Sequence, residues 1–126
     1  KLELLNDGTY ESRNTKAAVA LMPWGGSKGP TFSAYERLIE AGEDIAWYYT
    51  MFLNPLPHQL LDELKQKELV IVPELNYQGQ FSTVLRSFGV HAESITEYTG
   101  LPFKVSDLTK RVSGKMKDVI MRRDTV

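Results

Sequence analysis

Residues 73–80, PELNYQGQ, follow directly on the branched apolar run LVIV (69–72) and bring together a carboxylate, three side-chain amides, a phenol and a glycine. Glu74 is the residue of most chemical interest. A carboxylate leaving a buried strand is a candidate acid or base wherever desolvation perturbs it. It can equally accept hydrogen bonds from backbone N–H groups and fasten neighbouring loops. Asn76, Tyr77 and Gln80 would add polar contacts or a docking surface beside it, and Gly79 would let the backbone turn closely into a following helix. A second stretch, PWGGSKG (23–29), sets Gly25, Gly26, Ser27, Lys28 and Gly29 ahead of a helical pattern, the make-up of an anion cradle. It has neither the G-x-x-x-x-G-K-[ST] nor the G-x-G-x-x-G spacing, so a close-packed turn explains it as well as an anion site does. His58 and His91 lie far apart with no carboxylate at ligand spacing, which argues against a metal site. Ser27 lacks the G-x-S-x-G elbow of a serine nucleophile.

These residues need elements to position them. Four apolar or half-apolar runs recur, each followed by a polar break and a helical pattern: AAVALM (17–22), DIAWYYT (44–50), LVIV (69–72) and HAESITEY (91–98). The first and third are continuously apolar, as strands covered on both faces are. The last alternates with polar residues and belongs nearer a sheet edge. Phe32, Tyr35, Leu38 and Ile39 share one helical face, with Pro30 suited to the first turn and Gly42 to a left-handed stop. A second helix opens at Pro57 and buries Leu60, Leu61 and Leu64. Phe81, Val84, Leu85 and Phe88 sit at i, i+3, i+4 and i+7, with Gly89 as the stop, and all four are expected against the sheet. Ser106 is placed to cap a last helix carrying Val105, Leu108 and Val112, with Lys110 and Arg111 in its final turn.

Strand alternating with helix gives an α/β domain with a mostly parallel sheet of four to five strands. The loops leaving strand carboxyl ends, 23–29, 51–57 and 73–80, then lie on the face where ligands bind. The domain occupies 17–112. Residues 1–16, with LELL at 2–5, form a linker or edge strand, and 113–126 form a basic tail. Residues 104–126 hold seven Lys/Arg against three Asp, a distribution expected to be solvated and frayed. Contact with an acidic partner surface is the sharper alternative.

The whole chain has 126 residues, 42% hydrophobic and 25% charged, with a net charge of −1. That suits one domain with its own core and gives no reason to expect nucleic-acid binding. Its apolar runs fall well short of the ~20 residues of a membrane helix. Cysteine is absent, which excludes disulfides, thiolate catalysis and cysteine-held clusters within these residues. A cytoplasmic setting fits. The first residue is Lys1, without signal-peptide character, which suggests a processed chain or a piece of a longer one. Trp24, Trp47, Tyr48, Tyr49, Phe52 and Tyr77 gather around the strand ends as core residues or interface anchors.

Three stretches, ALMPWGGSKGPTFSAYERL, YTMFLNPLPHQLLDEL and LVIVPELNYQGQFSTVLRS with the later ITEYTGLPF, resemble the C-terminal domain of the alpha subunit of 2-oxoacid:ferredoxin oxidoreductases, 2-oxoglutarate type. The resemblance runs from about Ala17 to Leu108. It implies a three-layer α/β/α domain of the transketolase C-terminal type, often with one antiparallel edge strand. It also implies a holoenzyme that oxidatively decarboxylates a 2-oxoacid to its acyl-CoA with thiamine diphosphate and magnesium. In such an enzyme CoA is co-substrate, and electrons pass through an iron–sulfur cluster to ferredoxin. The partners implied are a preceding thiamine-binding domain of the same subunit and a beta subunit. No thiamine-binding motif or cluster cysteine occurs here, so the fragment alone is expected to be inert, with no catalytic residue of its own. Its role would be to pack cofactor domains and form a subunit interface. The alternative is a small-ligand module that takes phosphate or CoA at the 25–29 loop.

Overall fold

The computed structural model describes residues 10–24, 27–50, 56–75, 80–97 and 101–124. Five strands, β1 (Glu11–Arg13), β2 (Val19–Leu21), β3 (Ala46–Tyr49), β4 (Leu69–Glu74) and β5 (Ala92–Thr96), alternate after β1 with four helices: α1 (Lys28–Glu40), α2 (His58–Lys65), α3 (Gln80–Ser87) and α4 (Val105–Asp124). They form one sheet in the order β1-β3-β2-β4-β5. The pairs β2–β3, β2–β4 and β4–β5 are parallel, and only β1 runs antiparallel, Glu11 facing Tyr49 and Arg13 facing Trp47. The α/β class is as the sequence implies, and β1 is an antiparallel edge strand of the kind the resemblance implies. The polar fourth run is indeed an edge, β5.

Side chains alternate across a strand, and here that alternation divides the core in two. Val19, Leu21, Ile45, Trp47, Leu69, Ile71 and Ile95 face α1 and α4, where Ala34, Tyr35, Leu38, Leu108 and Val112 cover them. Ala20, Met22, Ala46, Tyr48, Val70, Val72 and Ala92 face the other way, under Leu60 and Leu64 of α2 and Phe81 and Leu85 of α3. The result is three layers. Central β2 and β4 are buried throughout, whereas β1 is exposed along its length. Gly42 (φ 89°) and Gly89 (φ 91°) end α1 and α3 in the left-handed conformation that their lack of a Cβ allows.

Four expectations change. In α1 the buried face is Thr31, Ala34, Tyr35 and Leu38, with Phe32 half-buried and Ile39 exposed. The helix begins at Lys28, before Pro30, and its contact with α4 rotates the covered stripe. In α3 the buried residues are Phe81, Ser82 and Leu85, and Val84 and Phe88 lie on the surface. The sheet covers a narrower arc than the apolar stripe spans. β4 runs on through Pro73 to Glu74 instead of stopping at Val72. Finally, α4 neither starts with a Ser106 cap nor ends near Arg111. It starts at Val105 and runs twenty residues, burying Leu108, Val112, Met116 and Val119. The 113–124 stretch is therefore packed helix, and Lys110 and Arg111 are mid-helix. Lys115 and Arg122 reach Glu93 of β5 at 2.9 and 3.7 Å, and Arg111 donates to the Thr96 carbonyl at 3.0 Å. The hydrogen bond from Lys115 outweighs the upward push of burial and holds the Glu93 carboxyl below the usual carboxylate range. Lys1 to Thr9, with LELL, lie outside the described residues.

The residues before β2 are strapped to α2 by a two-phenol clamp. Tyr10 and Tyr48 both donate to the Glu63 carboxylate, Tyr48 at 2.8 Å. Burial first, and then the Glu63 hydrogen bond and charge, push both phenols above the usual tyrosine range. A folded-state pKa raised above the unfolded value makes a contribution complete below about pH 10 and lost as pH rises beyond it. Alkaline titration followed by tyrosinate absorbance and circular dichroism should therefore show Tyr10 and Tyr48 ionising only as the fold is lost. Uniform ionisation of every tyrosine with native dichroism intact would show that the clamp does not form.

Candidate functional site

The helix after β2, α1, packs on one face of the sheet, and the helix after the adjacent β4, α3, packs on the other. The chain thus leaves neighbouring strands in opposite directions, and their carboxyl ends are the position where open α/β sheets hold ligands. The β2–β4 ladder continues to that end: Met22 N–H donates to Ile71 at 2.9 Å, and Trp24 N–H donates to Pro73 at 3.1 Å. Trp24 and Glu74 form the last bridge.

Within β4, Val70, Val72 and Glu74 share a face by alternation, so the carboxylate points toward α3. It is wholly buried, 0% exposed. One oxygen accepts from Phe81 N–H at 2.8 Å and the other from Ser82 N–H at 3.1 Å. Both donors belong to the first turn of α3, whose N–H groups have no intrahelical partner. Glu74 caps this helix from a neighbouring strand, with its charge at the favourable end of the helix dipole. Ser27 makes the matching link on the α1 side. Its buried hydroxyl lies 2.7 Å from the Pro73 carbonyl and 2.9 Å from the Trp24 carbonyl, and its single proton is shared between them. Pro73 supplies no N–H, and its carbonyl accepts from both Trp24 N–H and Ser27 instead. Beside this knot the Trp24 ring stacks on Phe81 at 5.1 Å.

Lys28, expected in an anion cradle, turns outward to Glu11 of β1 at 3.0 Å and lies 4.2 Å from the Tyr49 ring centre. Both side chains that would cradle an anion, Ser27 and Lys28, thus hold protein groups. Gly25, Gly26, Asn76, Tyr77, Gly79 and the 51–55 segment lie outside the described residues. Gly29 sits in the first turn of α1 with open space where a Cβ would be. Gln80 opens α3. Of the strand-end aromatics, Trp47 and Tyr48 are core. His58 and His91 are both exposed. Among the described residues no three His, Cys, Asp or Glu side chains converge as a metal ion would require, and no helix is long and apolar enough to cross a membrane.

No family model matches the sequence. Individual proteins do. The chain is 34% identical over 93 residues, 73% of its length, to "2-oxoglutarate oxidoreductase subunit KorA" of Mycobacterium tuberculosis. It is 33% identical over 101 residues, 76% of its length, to "2-oxoacid:ferredoxin oxidoreductase 1, subunit alpha" of Aeropyrum pernix. Among solved structures, the 2-oxoglutarate:ferredoxin oxidoreductase of Magnetococcus marinus, with 2-oxoglutarate, coenzyme A and succinyl-CoA bound, superposes with a TM-score of 0.72 at 28% identity over 89% of this chain. The chain is a homologue of 2-oxoacid:ferredoxin oxidoreductase alpha subunits. It spans only 14% and 16% of the two curated relatives and 20% of the solved chain.

The resemblance implies thiamine diphosphate and magnesium, and the strand ends hold two buried polar side chains, Glu74 and Ser27. Both are satisfied by backbone groups, and no ligand cluster is present among the described residues. Glu74 and Ser27 therefore leave no unsatisfied polar atom for that cofactor. Sequence reasoning singled out Glu74 and Ser27 and anticipated backbone N–H partners for Glu74, but not the carbonyl partners of Ser27. The Glu74 donors lie seven and eight residues on, at a helix start legible in the sequence, whereas Ser27 and Pro73 are 46 positions apart and meet only through the parallel pairing.

Proposed function

We propose that this chain is the C-terminal, transketolase-C-terminal-like domain of the alpha subunit of a thiamine-diphosphate-dependent 2-oxoacid:ferredoxin oxidoreductase. That cytoplasmic enzyme converts a 2-oxoacid to its acyl-CoA and passes electrons through an iron–sulfur cluster to ferredoxin. Within it, this domain has an architectural role: it packs against the preceding thiamine-binding domain and contributes to the interface with the beta subunit. One observation supports this most strongly. The two polar side chains at the topological switch, where an α/β enzyme would place reactive groups, are spent on tying β2, β4, α1 and α3 together. Likeness over most of the chain to alpha subunits many times its length agrees with that role.

The test is reconstitution. By calorimetry the isolated chain is expected to bind no thiamine diphosphate, and it should reduce no dye with 2-oxoacid. An alpha subunit from which this segment is deleted should fail to assemble with its beta subunit. Stoichiometric cofactor binding by the chain alone, or normal assembly without it, would overturn the architectural role.

A further inference from the structure

The three apolar residues of α3, Phe81, Val84 and Leu85, and Phe88 in the turn just after it make one stripe, about 10 Å long at roughly 1.5 Å per residue. The sheet covers half of it. Phe81 and Leu85 are buried, but Val84 is 44% and Phe88 48% exposed. Toward the strand ends the stripe runs into a shallow groove of about 210 Å³ lined by Trp24, Gln80, Phe81 and Val84. Among the described residues no charged side chain lines it. The one charge on α3, Arg86, turns aside to the Ala92 carbonyl at 2.8 Å and to Thr83 at 3.1 Å.

We propose that this half-covered stripe, from Trp24 across Val84 to Phe88, is a docking face permanently covered by another domain of the same alpha-subunit polypeptide. The inference rests on the architectural reading above and names the surface that carries it. Two observations choose the occupant. An apolar face without charges suits a permanent contact, whereas brief electron-transfer encounters use smaller patches. The relatives also extend far beyond the matched segment, which is 14% and 16% of their lengths. A domain tethered in the same polypeptide meets this face at high effective concentration, ahead of any separate subunit.

The experiment is thiol protection, convenient because these 126 residues contain no cysteine. Val84→Cys and Phe88→Cys would be made separately in the full alpha subunit and in this chain alone, with Glu36→Cys on the exposed side of α1 as control. Maleimide labelling is then read by mass spectrometry of the α3 peptide. Expected is labelling at least tenfold slower in the full alpha subunit than in the isolated chain, unchanged when beta subunit is added, with the control equal throughout. Equal labelling at Val84→Cys and Phe88→Cys in an alpha subunit that still assembles would overturn the docking face and leave the architectural role standing. Protection that appears only with beta subunit, or only as the concentration of the isolated chain rises, would overturn the choice of occupant in favour of the beta subunit or a second copy. A reading frame containing no other alpha-subunit domain would overturn both readings together.

Discussion

Leu85→Ala is expected to destabilise the chain by roughly 2–5 kcal/mol, the range for emptying a fully packed leucine site. Leu85 is 0% exposed and lies among Val70, Val72, Ala92 and Phe81, between α3 and the sheet. With total stabilities of about 5–15 kcal/mol typical of single domains, that loss takes a large share. Val84→Ala, one residue earlier on an exposed site, should move stability by only about 0.5 kcal/mol. Paired urea unfolding curves make the comparison internal to one helix. A small loss at Leu85 and a large one at Val84 would mean that α3 is rotated on the sheet from the orientation described above.

That contrast also marks how far the sequence was legible. The strands were readable because buried parallel strands are apolar on both faces: AAVALM, LVIV and the aromatic-rich DIAWYYT became β2, β4 and β3. Helix faces were less so. Periodicity shows that an apolar stripe exists, while the width of stripe that a fold covers depends on neighbouring elements. Hence Val84, Phe88 and Ile39 emerged on the surface, and Thr31 and Ser82 were buried in their place. In α4 the spacing of Leu108, Val112, Met116 and Val119 keeps a single face, but Gly114 and the density of Lys and Arg masked it. Those charges proved compatible with a packed helix because several reach back to Glu93, Glu97 and Asp107. At the strand ends, Glu74 and Ser27 stood out by type and position. The backbone donors to Glu74 sit at a helix start that the sequence shows, whereas the carbonyls that Ser27 reaches carry no signature in it.

Glu74 carries the second large effect. Two terms compete at a buried carboxylate: desolvation of the charge, several kcal/mol, and its charge-assisted hydrogen bonds, about 1.5–3 kcal/mol each. Glu74→Leu removes the first term but leaves the N–H groups of Phe81 and Ser82 buried without acceptors, at about 1–3 kcal/mol each. The two orphaned donors sum to roughly 2–6 kcal/mol, and the desolvation that is relieved offsets part of it. Glu74→Gln keeps the shape and one acceptor, and it turns an N–H₂ toward the remaining donor, so about 1–3 kcal/mol should be lost. The diagnostic signal is local. Hydrogen exchange at the Phe81 and Ser82 amides should accelerate at least tenfold in both variants, beyond the change at β2 amides. Unchanged protection there would show that the carboxylate does not cap α3. In an assembled enzyme, the architectural reading requires Glu74→Gln to weaken the association of alpha with beta subunits more than it slows single-turnover decarboxylation. Intact assembly with a collapsed chemical step would place Glu74 in the chemistry instead. The hydrogen bonds to Phe81 and Ser82 would then be the means by which α3 holds a reactive carboxylate in position.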